Sequence, residues 1–348
     1  MANNDSTQIT YKNNKPILEP SAAYYLQGIR NQMLSGSQAT AISTGFSSLD
    51  KILGGGLYEG LYILGAISSL GKTTLVCQIA DQIAVAGQDV VIFSLEMSRM
   101  ELIAKSLSRL SATYQLSKKH KNSIPISARQ FMNEGQSLAA NNPELFEAAF
   151  AAYGKIANHI CIYESIGDTS VKSVQDIVKQ HIENTGNAPV VIVDYLQILA
   201  PYSQKYSTDK QNIDKTVLEL KRLSRDARIP VIGISSLNRM GYKDPISMAA
   251  FKESGSIEYS SDVLIGLQLQ GIGTDNFDVD IEKQRNPRKI ELKILKNRNG
   301  QVGTSLFFGY RPKINLFTTD DNLPFPDQSP LASLFNPQIV QTEIADNI

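Results

Sequence analysis

Gly71-Lys72-Thr73 follows an apolar run, Leu61-Tyr-Ile-Leu64, and precedes a stretch with helical spacing. A strand, a tight turn and a helix N-terminus together make a phosphate cradle. Successive backbone N–H groups face the anion, a lysine reaches the β- and γ-phosphates, and a hydroxyl is offered to Mg²⁺. The residues in these positions are Ala66, Ser68, Ser69, Gly71, Lys72, Thr73 and Thr74. The first position of the G-x-x-x-x-G-K-[ST] pattern is Ala66 rather than glycine, with Gly65 beside it, and its small Cβ still permits the turn. Two carboxylates could complete the chemistry. Asp194 ends the run Val190-Val-Ile-Val193, where an acid can orient a metal ion beside the phosphate loop. Alone it would read as an ordinary cap after a strand. Glu96 closes Val90-Val-Ile-Phe-Ser-Leu95, where a carboxylate can polarise a water attacking the γ-phosphate or simply start a solvated loop.

These groups need a sheet to position them, and the pattern supplies one. Strands are expected at Leu61–Leu64, Val90–Leu95, Ile160–Tyr163, Val190–Val193 and Pro230–Ser235. Helices are expected at Ser47–Leu53, Lys72–Ala86, Met100–Ser111, Val171–Glu183 and Thr216–Ala227. Short apolar strands separated by helices predict an α/β fold with a mainly parallel sheet covered on both faces. Beyond Asp262 the runs VLIGLQL, KIELKIL and TSLFFGY predict an antiparallel extension. Residues 1–20 read as a flexible polar arm. Residues 21–41 read as a helix, with Ser21 as its N-cap, and a linker. The stretch 42–317 reads as the catalytic domain, and 318–348 as an acidic, proline-containing, disordered tail.

The 348 residues carry 34 basic and 34 acidic side chains, so total charge gives no argument for nucleic-acid binding, although a local basic channel is compatible with it. Cys77 and Cys161 are far apart and read as apolar residues of a reducing compartment. The sequence shows no membrane-spanning run and no signal-peptide core, so a cytoplasmic protein with no membrane partner is expected.

Five motifs in order extend the reading: Phe93-Ser-Leu-Glu-Met97, Val191-Ile-Val-Asp-Tyr-Leu-Gln197, Ser236-Leu-Asn-Arg239, Glu253-Ser-Gly-Ser-Ile-Glu258 and Lys296-Asn-Arg-Asn-Gly300. Over about 42–317 the chain resembles the RecA-like motor domain of the DnaB-type replicative helicases, a family whose phosphate loop commonly begins with alanine. The resemblance implies an ATP- and Mg²⁺-dependent helicase that forms a ring, usually of six copies, with ATP between neighbours. It assigns Lys72 and Thr73 to phosphate and metal, Asp194 to the metal and Glu96 to the general base. It places Lys296 and Arg298 in the adjacent subunit's site. By residue type alone those two read as a basic hairpin in solvent. It also puts Lys252, Glu253 and Gly255 on a loop gripping single-stranded DNA by its phosphates.

The chain departs from the family pattern at Lys252, where arginine is usual, and at Ser236, where a glutamine senses the γ-phosphate. No primase-recruiting collar domain is expected in the 41 residues before the motor. A separate primase, initiator or loader is therefore the expected partner. Two alternatives stay open on the sequence. Thr44-Gly-Phe-Ser-Ser-Leu-Asp50 with Gly54-Gly-Gly-Leu57 resembles the opening motif of RadA- and KaiC-like ATPases, although no zinc-binding cysteine cluster accompanies it. A non-motor ring scaffold that binds ATP without coupling it to DNA is the other.

Overall fold

The computed structural model describes residues 11–12, 15–16, 21–34, 41–118, 124–164, 169–199, 208–237, 244–251, 255–319 and 329–335. They fall into two units divided between residues 40 and 41. In the first, β1 (Tyr11–Lys12) pairs antiparallel with β2 (Lys15–Pro16), ordered structure inside the stretch read as a flexible arm. Helix α1 (Ala22–Leu34) follows, with Tyr25, Ile29 and Met33 exposed along it. Ser21 is not its side-chain cap. The hydroxyl has no hydrogen-bond partner, and only the Ser21 carbonyl engages the helix, accepting from Tyr24 N–H at 3.0 Å.

The second unit opens with α2 (Ser47–Ile52), β3 (Gly60–Ala66), α3 (Lys72–Val85), β4 (Val90–Ser94) and α4 (Arg99–Ser117). Three helices come next, α5 (Ala128–Asn133), α6 (Gly135–Asn141) and α7 (Pro143–Ile156). After them run β5 (Ile160–Glu164), α8 (Val171–Thr185), β6 (Val190–Asp194), α9 (Asp209–Asp226) and β7 (Pro230–Ser236). The unit ends with α10 (Gly255–Ser260), β8 (Val263–Leu269), α11 (Val279–Gln284), β9 (Arg288–Asn297), β10 (Ser305–Arg311), β11 (Leu316–Thr318) and α12 (Pro330–Ser333). The sheet order is β11-β10-β9-β8-β3-β7-β6-β4-β5. Strands β8, β3, β7, β6, β4 and β5 are mutually parallel, and β9, β10 and β11 continue the sheet antiparallel from β8, so VLIGLQL, expected in the antiparallel extension, is instead the last parallel strand beside β3.

Every residue of β3, β4 and β6 is buried, as a parallel sheet packed on both faces requires. Alternation divides the work. Tyr62, Leu64 and Ala66 of β3 face the cluster containing Leu75, Ile79 and Ile83 of α3, whereas Leu61 and Ile63 face Val217 and Leu220 of α9. A third cluster joins α4 to α5, α6 and α7 and includes Leu331 of α12, so part of the predicted tail docks on the domain. The rest of the tail, 320–328 and 336–348, lies outside the described residues.

Helix α4 runs six residues past its expected end, through a Ser- and Thr-rich segment. There Ser111 Oγ donates to the Ser108 carbonyl and Thr113 Oγ1 to the Arg109 carbonyl, so burial satisfies hydroxyls that would otherwise compete with the helix. Arg109, fully buried, bonds Asp81 of α3 at 2.5 Å and donates to the Asn315 carbonyl at 2.8 Å. It thereby ties α4 to the helix that starts at the phosphate loop. Cys77 is buried and its thiol is pushed up to about 12 by that burial, which makes it chemically inert.

Asp89, just before β4, gathers His159 Nδ1 at 2.8 Å, His181 Nε2 at 3.1 Å and the Asn187 amide at 3.1 Å. Burial alone would raise this carboxyl, but the hydrogen bonds outweigh it and hold it below the usual range. A depressed carboxylate contributes stability above its unfolded value of about 3.9, and that contribution is lost as pH falls through the folded value. Asp89→Asn is therefore expected to cost about 2 kcal/mol at neutral pH. In melts from pH 7 to pH 3 the gap to wild type should close at the acid end. A gap independent of pH would contradict a charge-based role for Asp89.

Candidate nucleotide site

Strand β3 ends at Ala66, and the chain turns through Ile67–Gly71 into α3. Gly71 sits at φ +90°, and a Cβ there would lie 2.8 Å from the Tyr310 ring, so glycine is demanded twice over. Tyr310 in turn stacks on Phe317 with centroids 4.4 Å apart, an aromatic floor beneath the loop. Ser69 takes φ +68°, and its carbonyl accepts from Arg288 Nη1 at 2.8 Å. Lys72, the first residue of α3, folds back so that Nζ donates to the carbonyls of Ala66 at 2.9 Å and Ile67 at 3.4 Å. An ammonium resting on the loop's own carbonyls is placed to exchange them for phosphate oxygens.

Thr73 Oγ1 donates to Asp194 Oδ2 at 2.7 Å, across 121 residues of sequence. Leu95 N–H donates to the Asp194 carbonyl at 2.8 Å, which brings the ends of β4 and β6 together and sets Glu96 beside Asp194. Ser68, Ser69, Gly71, Lys72, Thr73, Thr74, Glu96 and Asp194 line one cleft of about 290 Å³. Burial pushes the Asp194 carboxyl up, the Thr73 hydrogen bond pulls it down, and the Glu96 charge raises it again. Two carboxylates and a threonine hydroxyl form a hard oxygen set that fits Mg²⁺. That ion binds through one or two carboxylates plus substrate phosphates rather than in an all-protein cage. No cluster of three or more His, Cys, Asp or Glu suited to a metal occurs among the described residues.

Two residues of the cleft carry no signal in the sequence, and one beside it, Gln197, ends the motif Val191–Gln197 without a role having been assigned to it. Lys105 projects from α4, donates to Asn315 Oδ1 at 3.1 Å and is held below the usual lysine range by burial. A lysine mid-helix reads as a solvated residue until the fold turns that face inward. Tyr310 lies on a strand distant in sequence. Gln197, three residues after Asp194, donates to Ser235 Oγ at 2.9 Å and accepts from Ser236 N–H at 3.4 Å. Ser236 itself lines the cleft.

Lys296 and Arg298 are elsewhere. Both lie beside Asp262, whose carboxylate accepts from Leu61 N–H at 2.7 Å, at the start of β3 rather than its phosphate-loop end. Six residue steps of strand at about 3.3 Å each put them roughly 20 Å from the cleft of their own chain. Gly255 begins α10. Lys252 and Glu253 lie outside the described residues, as do Asn238 and Arg239. Phe251, just before Lys252, packs on β3 where Gly65 leaves room, since a Cβ there would lie 2.2 Å from its ring.

A model of the DnaB-like helicase C-terminal domain matches residues 41–319, most of the chain. The chain belongs to the DnaB-like helicase C-terminal domain family. The replicative DNA helicase DnaB of Geobacillus stearothermophilus is 30% identical over 305 residues, covering 83% of this chain and 60% of that protein. The replicative DNA helicase DnaC of Bacillus subtilis is 29% identical over 297 residues, covering 82% of this chain and 59% of that protein. The chain thus spans about three-fifths of the length of these relatives. Among solved structures, an isolated ATPase domain superposes with a TM-score of 0.70 at 22% identity, covering 88% of this chain and all of that one. A DnaB-like replicative helicase, studied with its interactions with primase, gives 0.68 at 22% identity over 87% of this chain and 68% of that one. Both likenesses show the RecA-like ATPase fold. No helix among the described residues is long and apolar enough to cross a membrane.

Lys72→Ala removes the cation at the centre of the loop. Nucleotide affinity, measured by fluorescent-nucleotide titration, is expected to fall about 10- to 100-fold with the melting temperature unchanged. Unaltered affinity would show that the loop does not hold phosphate.

Proposed function

We propose that this chain is the motor of a ring-forming, ATP-dependent DNA helicase that translocates on single-stranded DNA and unwinds duplex during replication. The observation that carries the reading is the division of the site. Lys72, Thr73, Asp194 and Glu96 surround one cleft, while Lys296 and Arg298 stand at the opposite end of β3. A second copy whose far end abuts the cleft would complete it, and the family's usual closure is a ring of six. ATP at such an interface reports on both subunits.

The loop N–H groups and Lys72 bind the phosphates, with Lys72 leaving the Ala66 and Ile67 carbonyls to do so. Thr73 and Asp194 would hold Mg²⁺, which when bound offsets charge on the transferring phosphoryl group. Glu96 accepts the proton of the attacking water. Arg298 of the neighbouring subunit stabilises the transition-state charge, with Lys296 beside it. Lys252, Glu253 and Gly255 are the proposed DNA contacts, gripping phosphate without reading base sequence. A separate primase, initiator or loader is the expected company of such a motor, and the primase interaction of the similar solved helicase supports that reading. The expected compartment is the cytoplasm.

Glu96→Gln and Arg298→Ala are each expected to lower ATP turnover, Arg298→Ala by about 10³- to 10⁵-fold, with ATP binding retained. Mixed rings of the two variants contain interfaces that pair an intact Glu96 with an intact Arg298, and these should recover activity. Mixed rings shown to form by native mass spectrometry, yet inactive, would contradict a site shared between subunits.

The DNA contact is tested separately. Lys252→Ala should weaken binding of oligonucleotides of different sequence alike. It should also flatten the slope of log affinity against log salt by about 0.7 per lost phosphate contact. An unchanged slope would move the DNA path away from Lys252.

A further inference from the structure

The two residues assigned to the neighbour's site are held on their own subunit. Lys296 Nζ donates to the carbonyls of Glu258 at 2.5 Å and Tyr259 at 3.2 Å. These belong to the last turn of α10, whose carbonyls lack intrahelical partners, so the ammonium caps the helix. Arg298 N–H donates to the Asp262 carbonyl at 2.9 Å, and Arg298 Nη1 lies 3.4 Å from Asp262 Oδ1. The guanidinium is nevertheless 69% exposed, whereas the carboxylate is 14% exposed. Asp262 Oδ2 is shared between Leu61 N–H of β3 and Lys221 Nζ of α9, the latter at 2.5 Å.

Position along the chain gives this cluster its meaning. Helix α10 begins at Gly255, the last residue of the proposed DNA loop, and ends at Ser260, two residues before Asp262. One short helix therefore links the DNA loop to the groups that restrain Lys296 and Arg298. A guanidinium paired with Asp262 cannot at the same time stabilise phosphoryl charge next door, and a lysine capping α10 cannot leave without freeing that helix.

Given the assignment of Arg298 and Lys296 to the neighbouring ATP site, on which this step rests, we propose that Asp262 is a positioning residue for the reaction between subunits. It parks Arg298 on its own subunit, and movement of α10 when the loop before it takes up DNA releases Arg298 and Lys296 together toward the neighbour. The hold is suited to release. An ion pair with one partner this exposed biases a population by only about 1.4- to 5-fold. Lys221 competes for the same carboxylate and keeps the hold weak.

The test measures ATP turnover by the assembled protein, with and without a single-stranded oligonucleotide, in variants of opposite expected sign. Asp262→Asn keeps an oxygen for Leu61 N–H but removes the charge. Basal kcat should rise about 1.4- to 5-fold with KM for ATP unchanged, and stimulation by DNA should fall by the same factor. Lys221→Met leaves Arg298 as the only cation hydrogen-bonded to the carboxylate among the described residues, so basal kcat should fall and stimulation should rise. Adding Arg298→Ala to either variant should bring turnover to the level of Arg298→Ala alone. Wild-type basal rate and stimulation in both variants would overturn the parking, and so would a parallel loss of turnover and melting temperature in both. If Arg298→Ala alone turns over ATP like wild type, the assignment of Arg298 to the neighbour's site fails. That failure is distinct from one in which Arg298 proves essential but Asp262 and Lys221 do not modulate it.

Discussion

Strand β3 carries a different half of the proposed chemistry at each of its ends. At Ala66 it delivers the chain into the phosphate loop, and at Gly60 and Leu61 it is pinned by Asp262, next to Lys296 and Arg298. Because the strand is rigid and buried throughout, the two halves cannot meet within one molecule. Neighbours β7 and β8 run parallel to it in continuous register, so their C-terminal ends lie on the phosphate-loop side, where Ser236 of β7 lines the cleft, and their N-terminal ends lie on the opposite side. The topology thus makes association a requirement of the proposed chemistry rather than an addition to it.

The cleft end is stabilised by contacts well outside the phosphate loop. Tyr310 and Phe317 support the turn at Gly71, and Arg288 holds the Ser69 carbonyl from β9. The buried pair of Arg109 and Asp81 locks α3 against α4, so Lys72 and Lys105 enter the cleft from helices that cannot shift independently. Removing one member of such a pair leaves an uncompensated buried charge and typically costs about 3–5 kcal/mol. Gly65 lets Phe251 lie directly on β3, so the segment leading to the proposed DNA loop rests one residue away from the start of the phosphate loop. Loop and floor share one core cluster, whereas Phe251 belongs to the cluster on the other face of the sheet, so β3 stands between them.

Much of this was legible because it is local. A β-branched run ending in an acid, and a Gly-Lys-Thr turn after an apolar strand, carry their geometry in adjacent residues, so Asp194, Glu96 and the phosphate loop could be named before any fold was known. The antiparallel extension was legible only in part: KIELKIL and TSLFFGY form β9 and β10, but VLIGLQL, read with them, is β8 and lies parallel to β3, because a strand's own pattern does not state its direction. Strand order was not legible, since nothing in Leu61–Leu64 says that β7 and β8 will flank it. Strand β11, three residues long, is too short to show a period. Lys105 and Arg109 were hidden because a charge inside a helix pattern reads as solvated, and only packing decides otherwise. Helix α9 begins seven residues earlier than its apolar spacing suggests, where Thr208 and Gln211 form a capping box that an apolar count overlooks. The role of Asp262 needed tertiary contacts with Leu61, Lys221 and Arg298, residues 201, 41 and 36 positions away.

The central claim is that one chain holds two half-sites and no complete one. Its most direct test is ATP turnover per chain across a wide range of protein concentration, at saturating single-stranded DNA, with mass followed by light scattering in the same samples. Turnover per chain should rise in step with the ring and be negligible where the mass is that of one chain. Turnover per chain that stays constant down to the monomer would contradict the claim.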